Sequence, residues 1–246
     1  MKKPQIITIA EIKGGTGKTT TAAALAQAAI LEGKRVLCID LDPQANLTAL
    51  FDADPQEPGA YELLHGSEAA ALIQETEFDI DVISGAPDLS TEKSKEGTAT
   101  RLKNGIAPIL ANYDLIIIDT PPAFGEMTYN ALQASTGLLV VVDTDPKAIQ
   151  GMYHITDLAR DAKQDNKQLK ILGCIVANYD ARPILHQKLR EQIQDKAERI
   201  RCNYLGEIRQ GVAIEEAQAY GKNLFEYSRK SKPAQDYKAL YEKIIK

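Results

Sequence analysis

Residues 11–20 read EIKGGTGKTT, and this stretch decides the fold. It lies between an apolar run, IITIA (6–10), and an alanine-rich helical pattern that begins at Lys18. A strand, a glycine-rich turn and a helix in that order make a cradle for phosphate. The glycines allow close backbone approach, and the start of the helix presents free amides to an anion. The common form of such a loop is G-x-x-x-x-G-K-[ST]. Gly17, Lys18 and Thr19 complete it, but Ile12 occupies the place of the first glycine, and Lys13 stands directly before Gly14 and Gly15. In this pattern Lys18 reaches the β- and γ-phosphates, and the Thr19 hydroxyl ligates Mg²⁺. Lys13 is one lysine more than the pattern needs.

Outward from the loop, apolar runs recur at RVLCID (35–40), DIDVIS (79–84), DLIIIDT (114–120), GLLVVVD (137–143) and KILGCIVAN (170–178). Several are apolar almost throughout, as strands covered by helices on both faces must be. Helical patterns alternate with them: KTTTAAALAQAAILEG, ATRLKNGIAPILANY, MTYNALQAS and PKAIQGMYHITDLARDA. That alternation predicts an α/β fold, a doubly wound, mostly parallel sheet flanked by helices, with its ligand at the carboxyl ends of the strands. Residues 52–77 are acidic and turn-rich and read as a peripheral helical insertion. There are no internal repeats, and the expectation is a single ATPase domain over 1–246.

Composition removes several classes. No run approaches the roughly 18 apolar residues of a membrane span. The start, MKKPQIITIAEI, has a signal-like look but no small-residue cleavage site, and it runs straight into the loop. Cys38, Cys174 and Cys202 are odd in number and far apart, so buried free thiols in a reducing compartment are expected. The three histidines are scattered and suggest no metal site. Net charge is −5, yet residues 160–246 hold 18 Lys/Arg against 12 Asp/Glu. A basic second part can serve as a face for a polyanion.

Carboxylates complete the chemistry. LIIIDTPP ends an apolar strand on Asp119, where its side chain can hold magnesium through water. CIDLDPQAN sets Asp40 and Asp42 two apart at the end of the second strand, so extended backbone points both the same way. One of the two supports the metal shell, and the other orients or deprotonates an attacking water.

The motifs KGGxGK[ST][ST], DxDPQ-x-N and an apolar strand ending D-x-PP together resemble the ParA/MinD class of deviant Walker ATPases. Within it the sequence resembles the ParA proteins that partition plasmids and chromosomes. The likeness extends through NALQAS, DPKAIQGM and the closing stretch VAIEEAQAYGKNLFEYSRKSKPAQDYKALYEKI, and so covers the chain from residue 6 onward.

The resemblance implies ATP and Mg²⁺ as cofactors and a role for each site residue. Gly14, Gly15, Thr16, Gly17, Lys18, Thr19 and Thr20 would hold the nucleotide, and Asn178 would contact adenine. Thr19, Asp40 and Asp119 would hold the metal. Lys13, Lys18 and Asp42 would be catalytic, with Asp42 activating water and Lys13 reaching across an ATP-bound homodimer to the partner's phosphates. Arg182 would bind DNA non-specifically, with Lys222, Arg229, Lys230 and Lys232 as additions to that face. A ParB-like centromere-binding protein would stimulate hydrolysis, and the protein would be cytoplasmic and nucleoid-associated, with no membrane partner.

The sequence departs from the pattern at Glu11-Ile12, in place of a polar pair, and at Arg209-Gln210, in place of Ile-Pro-Arg. It also has Ala213 where relatives often have an arginine. It is the short form, with no helix-turn-helix module expected. Two alternatives remain: a MinD-like membrane switch and a metabolic ATP-dependent enzyme on the same fold. The membrane switch needs an exposed apolar C-terminal face. Tyr237, Leu240, Tyr241 and Ile244 fall on one helical face and are expected to dock on the domain instead.

Overall fold

Eight strands form one sheet in the order β3-β4-β2-β5-β1-β6-β7-β8 in the computed structural model, which describes residues 3–91, 98–123 and 125–245. The strands are β1 (Gln5–Ala10), β2 (Val36–Asp40), β3 (Gln74–Glu75), β4 (Ile80–Ile83), β5 (Leu115–Asp119), β6 (Gly137–Val142), β7 (Lys170–Tyr179) and β8 (Tyr204–Arg209). Among the described residues only the two-residue β3 pairs antiparallel; every other pairing is parallel. The helices are α1 (Lys18–Leu31), α2 (Asn46–Leu50), α3 (Ala60–Leu64), α4 (Arg101–Ile106), α5 (Glu126–Ala134), α6 (Ala148–Asp165), α7 (Ile184–Arg199), α8 (Ala213–Ala219), α9 (Leu224–Ser228) and α10 (Lys232–Ile244).

The sheet is buried on both sides because its strands are apolar at nearly every position; β2, β5 and β6 have no exposed residue. Alternation along each strand sends its side chains to opposite layers. Ile7, Ile9 and Ile117 pack with Leu25 of α1 and Tyr237 of α10. Ile6, Ile116 and Ile118 face Leu102 and Ile106 of α4 instead. A third cluster joins Leu138 and Val140 of β6 to Met152 of α6 and Ile193 of α7. The alanines of α1 are what let it lie so close to the sheet that Thr21 through Ala29 are all buried.

Sequence expectations need three adjustments. The helix expected over 99–113 is α-helical only through Ile106 and continues as a 3₁₀ segment, Ala107–Asn112, with Pro108 near its start. Proline removes a backbone donor and crowds the preceding turn, which breaks the α ladder there. The 52–77 insertion is helical only in α3 and a 3₁₀ turn at Ala69–Leu72; it ends in the edge strand β3. Strand β8 and helix α7 extend the sheet and its cover beyond the expected six strands.

Helix α10 is docked. Tyr237, Leu240, Tyr241 and Ile244 are all buried against the α1 side of the sheet, and the Tyr237 and Thr21 hydroxyls lie 3.2 Å apart. No helix among the described residues is long and apolar enough to cross a membrane. All three cysteines are buried free thiols.

The order of strands places the loop. β1 lies between β5 and β6; the chain crosses from β1 to β2 on one side and later from β5 to β6 on the other, so the carboxyl end of β1 is the crevice where such sheets bind ligands.

Candidate nucleotide site

The loop leaves β1 at Glu11 and re-enters helix at Lys18. Gly15 and Gly17 have φ of 74° and 91°, backbone that only glycine adopts without strain. A Cβ on Gly17 would also stand 3.3 Å from the Ala177 Cβ. The end of β7 therefore presses against the loop, and Asn178 stands one residue beyond that contact, exposed and with φ of 52°.

The loop opens on a cavity of about 550 Å³ lined by Gly14, Gly17, Lys18, Thr19, Asp42 and Pro122, among others. Volume does not distinguish it, since a groove of about 590 Å³ runs between α1, α9 and α10. Chemistry does. Lys18 is buried, and its Nζ donates to the Lys13 carbonyl at 3.3 Å, closing the loop on itself. Burial lowers the Lys18 pKa, while the charges of Asp119, Asp42 and Glu11 oppose that effect. The Thr16 hydroxyl is 1% exposed and has no hydrogen-bond partner. An orphaned donor at that point, beside glycine backbone and a buried cation, suits a phosphate group.

Three oxygen donors gather opposite. The Thr19 hydroxyl donates to Asp119 Oδ2 at 2.6 Å. Asp119 and Asp40 are fully buried at neighbouring carboxyl ends, being register partners across β2 and β5. Burial pushes both carboxyls up, and the Asp40 charge pushes Asp119 further. A hydroxyl and carboxylates that destabilise one another are a hard donor set, suited to a Mg²⁺ ion that keeps much of its own water.

Asp40 is already engaged by its own chain. It accepts from the Asp42 amide at 3.0 Å and from the Thr48 amide and hydroxyl, both at 2.9 Å. Its main effect is thus to fix the turn that carries Asp42. Asp42 in turn accepts from the Gln44 amide at 3.0 Å.

Lys13 is engaged within its own chain. Its ammonium bonds Asp143 Oδ2 at 2.5 Å and lies 3.3 Å from Asp145 Oδ2, in the segment between β6 and α6. These two carboxylates hold the Lys13 pKa above its ordinary value. No motif in the sequence marks either acid, and Asp143 lies 130 residues from the lysine. Gln44, Asn46 and Gln218 also line the cavity. The first two belong to the quoted DPQAN segment, whereas nothing in the local sequence singles out Gln218.

The basic candidates are not buried. Arg182 follows β7, where its guanidinium is forked onto Asp180 with contacts of 2.8 to 3.1 Å. That guanidinium holds the Asp180 carboxyl down at about 2. Lys222 follows α8, Lys230 and Lys232 flank the start of α10, and Arg229 lines the groove between α1, α9 and α10.

Fold and loop together define a P-loop ATPase class, and the family model described as an AAA domain matches residues 4–171. The chromosome-partitioning ATPase Soj of Thermus thermophilus is 32% identical over 99% of this chain and 96% of its own length. A putative plasmid partition protein from Borrelia burgdorferi, solved with AMPPNP, superposes with a TM-score of 0.84 at 25% identity, covering 98% of each chain. A cobyrinic acid a,c-diamide synthase from Mycobacterium smegmatis, solved with ADP and magnesium, gives 0.83 at 28% identity, covering 97% of this chain and 93% of its own. The chain belongs to the Soj/ParA family of partitioning ATPases.

Proposed function

We propose that this chain is an ATP-dependent DNA-partition switch, built as one ATPase domain over residues 1–246. The observation that carries the reading is that Lys18, Thr19 and Asp42 line one loop cavity, with Asp119 buried behind them and accepting from the Thr19 hydroxyl, and with a second lysine, Lys13, in the same loop. ATP would be held by Gly14, Gly15, Thr16, Gly17, Lys18, Thr19 and Thr20, with Asn178 against the adenine. Thr19 and Asp119 would hold Mg²⁺, and Asp40 would brace its water shell and the Asp42 turn. A bound Mg²⁺ neutralises phosphate charge as the γ-phosphoryl group is transferred.

Asp42 accepts a proton from the attacking water. The new bond forms between that water's oxygen and the γ-phosphorus, and the bond from the γ-phosphorus to the bridging oxygen breaks, leaving ADP and phosphate. Lys13 leaves Asp143 and Asp145 for the phosphates held by a second copy, so that ATP joins two subunits. That exchange is cheap, since Lys13 is partly exposed and such ion pairs are worth about 0–1 kcal/mol. The dimer binds DNA without sequence preference through Arg182, Lys222, Arg229, Lys230 and Lys232, at the nucleoid. A ParB-like partner then stimulates hydrolysis and resets it.

DNA co-sedimentation with and without ATP tests this reading, using Lys13→Ala, Asp42→Ala and Arg182→Ala. DNA binding should need ATP, vanish in Lys13→Ala, persist in Asp42→Ala and weaken in Arg182→Ala. Binding indifferent to nucleotide contradicts the switch. The Mycobacterium relative's name supports a second reading as an ATP-dependent amide-forming enzyme; an ATP dimer that ignores DNA but turns over with an acid and ammonia would favour it.

A further inference from the structure

A second cavity, of about 390 Å³, lies where β1 and β6 begin, bounded by α4 with its 3₁₀ continuation and by the end of α6. β1 is six residues long, so about 16 Å of strand separates this cavity from the nucleotide loop. Its size is that of a small-molecule site. Ile6, Ile106, Leu110 and Ala134 give it apolar walls, and its charged residues are Lys3, Lys103, Lys167 and Asp165. The three lysines are exposed, and none is in an ion pair among the described residues. Gln133 lines the same cavity and is 2% exposed. Its Nε2 donates to the Ala162 carbonyl at 3.1 Å, which fixes the amide's orientation and leaves Oε1 buried without a partner. The neighbouring Asn166 amide donates instead to the Leu132 and Ser135 carbonyls, at 2.9 and 2.7 Å. Carbonyls at the ends of α5 and α6, which would repel an anion, are thus answered by two side chains. A buried acceptor left open calls for a donor, and no described residue supplies one.

We propose that this cavity is a second ligand site, for a small organic anion with an apolar body and one N–H or O–H donor. The body packs on Ile6, Ile106 and Leu110, and the anionic group lies among Lys3, Lys103 and Lys167 at the rim. The donor hydrogen goes to Gln133 Oε1. No glycine lines the cavity and its lysines are exposed, so a polyphosphate finds no backbone cradle here. The site therefore differs in kind from the nucleotide loop, and its occupancy is independent of ATP. It stands or falls without the partition reading.

The test is a fluorescence titration of the full chain, with Mg-ADP present, using 8-anilinonaphthalene-1-sulfonate. That probe has an apolar body, a single N–H and a sulfonate. One probe should bind per chain, and Mg-ADP should not displace it. N-phenyl-1-naphthylamine, which lacks only the sulfonate, should bind about fivefold more weakly, as the loss of two exposed charge contacts predicts. Lys103→Gln combined with Lys167→Gln should weaken the sulfonate by the same factor and leave the uncharged probe unchanged. Ala107→Trp, whose ring fills the cavity from an exposed position, should abolish binding of both. These three positions lie outside the nucleotide site, so ATP hydrolysis should stay at the wild-type rate and report an intact fold. The Gln133 side-chain amide signal in NMR should shift as the sulfonate binds. Displacement by Mg-ADP, equal affinity for the two probes, binding indifferent to Ala107→Trp, or an unmoved Gln133 signal would each overturn the proposal.

Discussion

At the scale of single residues, Glu11 shows how position overrides residue type. Burial raises its folded pKa to about 7, above its ordinary 4.5, so its contribution to stability is complete below pH 4.5 and is lost as pH rises through 7. The loss amounts to about 3 kcal/mol at alkaline pH, since each tenfold change in proton affinity is worth about 1.4 kcal/mol. Glu11→Gln should therefore melt higher than wild type above pH 7, with the gain vanishing in acid; scanning calorimetry across pH would show it. A gain independent of pH would mean that the carboxyl is not the cause. Gly151→Ala should do the opposite, because its methyl meets Glu11 Oε1. The expected cost is about 1–3 kcal/mol in urea unfolding, in line with overpacked sites.

Helices and strands differ in how much of themselves they disclose. β1, β2, β5, β6 and β7 were legible because both faces are covered and nearly every residue is apolar. β8, YLGEIR, was not: it is half-buried along most of its length and contains a glycine and two charges. α7 buries only Leu189, Ile193 and Ala197, so its apolar stripe is thin against a charged background. The phosphate loop, Asp40, Asp42 and Asp119 were legible because local spacing fixes their geometry. The Lys13 pairing with Asp143 and Asp145 was not, since it is made by two strands side by side in space and far apart in sequence. Helix α10 bears the most direct test at this scale. Leu240→Ala should cost about 2–5 kcal/mol, as for buried leucines generally. Tyr237→Phe should cost about 1 kcal/mol through the Thr21 hydroxyl contact alone. If α10 could peel away, as a membrane-binding tail must, both variants would unfold with wild-type midpoints.

The whole molecule is asymmetric in charge, with its basic excess in residues 160–246 and the nucleotide loop near the start of the chain. Binding to DNA by phosphate neutralisation falls steeply with salt, by about 0.9 in the logarithmic slope for each phosphate contacted. Arg182→Ala should lower that slope by about one and weaken all sequences alike. Asp180 now occupies the Arg182 guanidinium, so Asp180→Asn should tighten DNA binding; unchanged affinity in fluorescence anisotropy would remove Arg182 from the DNA face. The central claim is that ATP joins two copies through Lys13, and sedimentation velocity tests it most directly. The experiment is best done with Mg-ATP in an Asp42→Ala background, where hydrolysis does not erase the complex. Dimer with Lys13 present and monomer with Lys13→Ala is the result the account predicts. Equal dimer in both, or monomer in both, would contradict it.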